Sequence, residues 1–303
     1  MGKILITTSS FAQLDSAPRL LLDSSEYEII ENPHKRRLTE DEVSELLSKD
    51  VVGLIAGLEP LNRKVLSKSN LKVISRVGAG LSNIDLEAAD ELGIRVRSTP
   101  YGPTTAVAEM TLGMLLSLLR GVPKMDRALH EGRWEKMIGF QLEGKSVGIV
   151  GFGRIGQKFA SLLEPFGVRI FIIDPLMESE KMQYPVVSLD SVLSSVDVLS
   201  FHISGDECLI ERDHFSKMKP GVILLNAARG GVVNESALEE ALEKDIVGGA
   251  WVDTFEQEPY VGPLSKYHNV ILTPHIGSYT LEGRRNMETE AVNNLLSALS
   301  GST

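Results

Sequence analysis

Short runs of β-branched and aliphatic residues alternate with stretches of mixed polar and apolar residues from one end of the chain to the other. This is the pattern of parallel strands joined by helical crossovers, and it makes the fold class α/β. In the first third, Lys3–Thr8, Tyr27–Glu31, Val51–Ala56, Leu71–Val77 and Arg95–Ser98 predict strands, with helices at Thr39–Ser48 and Asp85–Leu92. A second series starts at Ser146–Gly151 and runs through Val168–Asp174, Val198–His202, Val222–Ala227, Gly249–Asp253 and Val270–Thr273. Two doubly wound parallel sheets follow from these series. Between them Thr105–Leu119 is apolar almost all round, which predicts a helix buried at an interface between domains or subunits, or inside one core. Thr280–Ser300 predicts a last long helix, with Met287, Ala291, Leu295 and Leu299 at a four-residue spacing.

A length of 303 residues makes two domains the expectation. With 43% hydrophobic and 24% charged residues the chain is neither disordered nor collagen-like. Its net charge of −10 shows no basic surface of the kind that displaces counterions from a phosphate backbone, so nucleic acid is not the expected partner. The single cysteine, Cys208, cannot form an internal disulfide, and the N-terminus has no apolar signal region. The most apolar stretch, Met110 to Leu119, ends at Arg120, too short to cross a membrane. A reducing cytoplasm is the expected setting.

Candidate chemistry begins at SVGIVGFGRIGQKFA, where Gly151, Gly153 and Gly156 follow a predicted strand and open a helix. Glycines in that register arise by chance about 0.2 times in a chain of this composition, so the context matters more than the string. The next strand, VRIFIID, ends at Asp174. These parts suit one task. Glycines let main-chain N–H groups approach a pyrophosphate, the helix N-terminus offers partial positive charge, and the acid accepts from an adenosine ribose. Asp174 would repel a 2′-phosphate, which favours NAD over NADP. A mononucleotide, an adenosyl donor or a structural turn are the alternatives.

Three more segments leave predicted strands of this second sheet: Asn226–Gly231 (NAARGG), Asp253–Pro259 (DTFEQEP) and Thr273–Ser278 (TPHIGS). Moving hydride between a nicotinamide and a 2-hydroxy acid needs a cation for the substrate carboxylate and carbonyl oxygen, and a group to exchange the hydroxyl proton. Arg229 and His275 are of those types, and Glu258 is the candidate to orient the histidine. Taken singly, each has a plainer reading: a salt-bridged surface arginine, a solvated loop acid and a satisfied core histidine.

Together with RVGAG (76–80), Gly-Arg-Trp (132–134), QLEGK, VGFGRIG, MKPGVILLNAARGG, WVDTFEQEP and TPHIG, these residues resemble the D-isomer-specific 2-hydroxyacid dehydrogenases, most closely the phosphoglycerate dehydrogenase branch in a short form without a regulatory domain. The resemblance runs from about Leu71 to Leu299. It implies a Rossmann NAD-binding domain, residues 100–279, inserted into a flavodoxin-like substrate-binding domain, residues 1–99 and 280–303. It places the catalytic groups on Arg229, Glu258 and His275, and implies cofactor contacts at Gly151, Gly153, Arg154, Ile155, Gly156, Asp174, His202, Ile203, Ala227, Asp253 and Gly277, with Asp253 as ligand of the nicotinamide carboxamide.

It also implies a main-chain cradle for the substrate carboxylate at Arg76, Val77, Gly78, Ala79 and Gly80, with Arg76 matching an arginine that contacts a substrate phosphate in some members. The implied reaction is NAD-linked oxidation of a D-2-hydroxy acid or reduction of a 2-keto acid. Candidate substrates are 3-phosphoglycerate/3-phosphohydroxypyruvate, or glyoxylate, hydroxypyruvate or another anionic acid. No metal is implied, and a homodimer is. An NADH-sensing corepressor-like protein is the alternative from another class. Formate dehydrogenases, which pair the histidine with glutamine, fit less well because of Glu258. Departures from the family pattern fall at Gly57 in LIAGLEP, where some members have a phosphate-binding arginine, at Ser82 and Pro103, and in the shorter, acidic loop ISGDECLIERD after His202.

Overall fold

The computed structural model describes residues 2–205 and 207–301, and the chain separates into two compact units, Met1–Pro103 with Ser278–Thr303, and Thr104–Gly277. Met1, Ser302 and Thr303, assigned by sequence to the first domain, and Asp206, in the acidic loop, lie outside the described residues.

The first unit alternates β1 (Lys3–Ile6), α1 (Ala17–Asp23), β2 (Glu28–Glu31), α2 (Glu40–Leu46), β3 (Val51–Ala56), α3 (Arg63–Leu66), β4 (Val73–Arg76), α4 (Leu86–Glu91) and β5 (Arg95–Ser98). The strands form one parallel sheet in the order β2-β1-β3-β4-β5. Thr39 and Asp85, read from sequence as helix starts, are instead the caps. Thr39 accepts from the Glu42 N–H while Glu42 accepts from the Thr39 N–H, and Asp85 accepts from the Ala88 N–H. Strand alternation separates the two faces, with Leu5, Leu54 and Ile74 on one and Ile4, Ile6, Ile55 and Val73 on the other.

The second unit contains α5 (Pro103–Leu119), whose first residue belongs to the first unit, α6 (Val122–His130), β6 (Ser146–Val150), α7 (Arg154–Leu163), β7 (Arg169–Ile173), α8 (Leu189–Val192), β8 (Val198–Phe201), α9 (Arg212–Lys217), β9 (Val222–Asn226), α10 (Glu235–Glu243), β10 (Val247–Val252) and β11 (Val270–Leu272). Its parallel sheet has the order β11-β10-β9-β8-β6-β7. Ala108 and Leu115 of α5 are fully buried against Ile149, Phe159 and Trp251, while Met110, Leu112, Met114, Leu116 and Leu118 are only partly covered. Among the described residues no single helix is long and apolar enough to cross a membrane.

The last helix, α11 (Leu281–Leu299), packs on the first unit's sheet, where Met287, Ala291, Val292, Leu295 and Ala298 join Ile4, Ile55 and Val73. Four-residue steps drift by about 40° around a helix, so Val292 and Ala298 complete the stripe that Leu299 only borders. Gly53 in β3 lets the helix in. A Cβ there would meet Leu299 Cδ1 at 3.1 Å and Leu295 Cδ1 at 3.2 Å.

Candidate active site

In the second unit the turn from β6 into α7 is built on its glycines. Gly151 has φ +88°, and a Cβ on it would meet the His202 carbonyl at 2.8 Å and Ile203 Cγ2 at 2.7 Å. On Gly156 a Cβ would stand 2.2 Å from the Gly151 oxygen, so helix and strand pack there without side chains between them. Around Gly153 there is open space, and no side chain caps α7, which starts at Arg154 and Ile155. First-turn N–H groups beside an open glycine fit a pyrophosphate. Asp174, directly after β7, accepts from the Phe152 N–H at 2.8 Å and the Leu176 N–H at 2.9 Å, which ties its carboxylate to the same turn.

The three ionisable groups singled out by sequence leave three neighbouring strands, β9, β10 and β11. After β9, Asn226 clamps its own turn: its Nδ2 donates to the Arg229 carbonyl at 2.9 Å and its Oδ1 accepts from the Ala228 N–H at 3.1 Å. Arg229 donates from Nη1 to the Ala228 carbonyl at 2.7 Å. Gly230 follows because a Cβ there would fall 1.9 Å from the Phe255 carbonyl carbon. The Arg229 turn thus lies main chain to main chain against the loop after β10. On that loop Glu258 accepts from the Phe255 N–H at 3.2 Å, and both its oxygens lie 3.0 Å from Nδ1 of His275.

His275 stands on left-handed backbone, φ +55°, which strains a residue with a Cβ. Asp253 holds it there. One oxygen accepts from the Thr273 hydroxyl at 2.5 Å and the Ile276 N–H at 2.9 Å, the other from the Gly277 N–H at 2.8 Å, and Trp251 Nε1 donates to Thr273 Oγ1 at 2.9 Å. Asp253 is 2% exposed and Trp251 wholly buried. Asp253, which the resemblance makes a ligand of the nicotinamide carboxamide, also fixes the histidine loop through these bonds. Asn226, Thr273 and Trp251 went unrecognised as parts of this support, although all three lie within the quoted motifs.

His202 follows β8 directly, and its ring is shielded from water. Its Nε2 lies 2.8 Å from Ser200 Oγ, its ring packs 5.3 Å from Phe159, and Nδ1 is shut off from water without a partner. Burial lowers its pKa to about 3, so the ring is neutral. What it offers beside Gly151 is its main chain. Ala227 is half-buried at the end of β9.

In the first unit Arg76 ends β4 and donates from Nη1 to the Val77 carbonyl at 2.7 Å, folding over Gly78, where a Cβ would lie 1.4 Å from Nη1. Gly78, at φ +131°, donates to Thr99 Oγ1 at 2.6 Å. Val77 is buried against α11, Ala79 is exposed and Gly80 half-buried, so this loop presents main chain rather than side chains.

A family model described as D-isomer specific 2-hydroxyacid dehydrogenase, NAD binding domain, matches residues 112–277. The hydroxypyruvate reductase of Thermotoga maritima is 34% identical over 93% of this chain and 94% of its own length. The D-3-phosphoglycerate dehydrogenase of Archaeoglobus fulgidus is 38% identical over 74% of this chain, a match that spans 44% of that protein. Among solved structures, the TT0316 protein from Thermus thermophilus superposes with a TM-score of 0.89 at 34% identity, covering 99% of this chain and 97% of that one.

Proposed function

Since this chain belongs to the D-isomer-specific 2-hydroxyacid dehydrogenases, NAD-dependent oxidoreductases, we propose that Arg229, Glu258 and His275 are the groups with which it interconverts a D-2-hydroxy acid and its 2-keto acid. The observation that carries the reading is the contact of His275 Nδ1 with both oxygens of Glu258, on loops that flank the Arg229 turn. Residues 100–279 act as the NAD-binding domain, and residues 1–99 with 280–303 receive the substrate. NAD, when bound, takes up or gives back the hydride.

Glu258 accepts from Nδ1–H and so leaves Nε2 of His275 as the atom that takes the C2 hydroxyl proton in oxidation and returns it in reduction. Arg229 holds the substrate carboxylate and the oxygen that becomes a carbonyl. In the first unit the substrate-side loop is residues 76–80, where the N–H groups of Val77 and Gly78 already donate to the Ala56 carbonyl and to Thr99 Oγ1, so Ala79 and Gly80 are its candidate donors. Gly151, Gly153 and Gly156 with the first turn of α7 receive the pyrophosphate, and Asp174 accepts from the adenosine ribose and disfavours a 2′-phosphate. His202, Ile203, Ala227 and Gly277 contribute main chain.

Replacing His275 by Ala is expected to lower kcat by about 10²–10⁴-fold with NADH affinity nearly unchanged. Activity surviving within about tenfold of wild type counts against the assignment.

A homodimer through the second unit, using the Thr105–Leu119 helix, is proposed; the side chains of Trp134, Ile138 and Phe140 in that unit, 79%, 97% and 66% exposed, offer further apolar area. Light scattering should give twice the chain mass, and Ile138→Asp should give a monomer; a monomeric wild type ends this part. A reducing cytoplasm, suggested by the lone Cys208, is the proposed setting.

A further inference from the structure

Where the parallel strands of the first unit end, a carboxyl group lies buried that the proposed chemistry does not use. In the order β2-β1-β3-β4-β5 the crossovers diverge between β1 and β3, and open sheets receive ligands outside the carboxyl ends of their strands at such a point. Thr7 directly follows β1, Gly57 directly follows β3, and Glu59 folds back between them. Both Glu59 oxygens lie 3.1 Å from the Gly57 nitrogen, and Oε1 bonds to the Thr7 hydroxyl. Thr7 Oγ1 also lies 3.1 Å from the Ile55 carbonyl and 3.3 Å from the Gly57 nitrogen.

Asn83 fixes this turn from outside, donating from Nδ2 to the carbonyls of Glu59 at 2.7 Å and Gly57 at 3.3 Å. Gly57 leaves room for the folded-back side chain, since a Cβ there would press on Glu59 Oε2 at 3.0 Å. Glu59 is 1% exposed. Arg76, in register with Ala56 on the neighbouring strand, brings positive charge to bear on it. Burial nonetheless pushes the carboxyl above its usual range.

A main-chain N–H, a hydroxyl and a guanidinium gathered at strand ends are the donors an anion would use. Here the chain supplies the acceptor itself. We infer that Glu59 is a specificity-determining residue: it occupies the acceptor position at this switch point and excludes substrates that carry a phosphate, leaving 2-keto acids with a small uncharged group on C3. This rests on the dehydrogenase reading above. An incoming phosphate would have to displace a carboxyl held by Thr7 and Gly57, and would face a like charge whenever that carboxyl is ionised.

The experiment is NADH-linked reduction of hydroxypyruvate and of 3-phosphohydroxypyruvate by the full chain, wild type, Glu59→Gln and Glu59→Ala. For wild type, kcat/KM for hydroxypyruvate should exceed that for the phosphorylated acid by about 100-fold or more. In at least one variant that ratio should fall by about tenfold or more, through a lower KM for the phosphorylated acid, while hydroxypyruvate reduction keeps its kcat. Equal wild-type rates on the two acids overturn the inference whether or not the variants fold. So does a ratio that neither variant moves. An enzyme that reduces neither acid nor any other 2-keto acid overturns instead the dehydrogenase reading beneath it.

Discussion

Replacing Asp253 by Asn tests whether the strained histidine loop is held by a carboxylate. The exchange keeps shape and volume but turns one acceptor oxygen into a donor. If the amide replaces the oxygen that faces Gly277, the 2.8 Å bond from that N–H is lost and two donors meet; if it replaces the other, the bonds from Ile276 and Thr273 go together. The milder outcome removes one hydrogen bond to a charged acceptor, worth about 2 kcal/mol in a site that is 2% exposed. For a unit of this size that corresponds to a fall in Tm of about 4–8 °C.

The effect on rate is separable from the effect on stability. With Ile276 or Gly277 released, His275 can leave φ +55°, and a displacement of about 1 Å at an acid–base group costs about 100-fold in kcat. Calorimetry reads the first number and steady-state kinetics at saturating NADH the second. If Asp253 served only as a cofactor ligand, NADH would bind more weakly while kcat at saturation survived. That result, or an Asp253→Asn variant with wild-type Tm and kcat, refutes the positioning argument. A spectroscopic check comes from Trp251, which is buried beside Thr273. With the exposed Trp134 changed to Phe, its emission alone should shift to the red once Asp253→Asn is introduced.

Gly230→Ala should lower stability by about 1–3 kcal/mol and depress kcat, because the new methyl group falls on the Phe255 main chain and pushes the Arg229 turn away; urea unfolding and a rate assay check both. His202 predicts acid sensitivity with a definite sign. Its folded pKa of about 3 lies below the ordinary histidine value, so between pH 6.5 and 3 the unfolded chain binds a proton that the folded chain does not, and stability is lost as the pH is lowered through that window. Between pH 7.5 and pH 5 the contribution is about 2 kcal/mol, and urea melts of wild type should lose that much more than those of His202→Gln; equal losses would show that the ring does not titrate as stated.

Most of the architecture was legible because it rests on local patterns. Val51–Ala56 and Arg95–Ser98 form strands with the boundaries read from sequence, since β-branched runs flanked by turns signal strands whatever lies around them. Boundaries moved where a side chain did something that periodicity does not encode, as at the caps Thr39 and Asp85. β10 begins at Val247 rather than Gly249 because a register shift passes over Gly248, so that Val247 still pairs with Val222 ahead of the strand read from sequence.

The candidate site divides along the same line. Arg229, Glu258 and His275 could be singled out because each ionisable side chain sits in a loop that ends a recognisable strand. Thr273 and Trp251 gave no such signal, nor did the bonds of Asp253 to the histidine loop, because these contacts span twenty or more residues of sequence and close only when β10 and β11 pair side by side. Glu59 is the sharper case. Nothing in LIAGLEP marks Glu59 by itself, and only the pairing of β1 with β3 brings Thr7 across to it. A buried acid reached by donors from distant stretches is therefore a different kind of residue from a motif acid. The motif is fixed by the reaction that related enzymes share, whereas Glu59 is fixed by the sheet of this chain, and so it is at positions of the second kind that the choice among 2-keto acids is set.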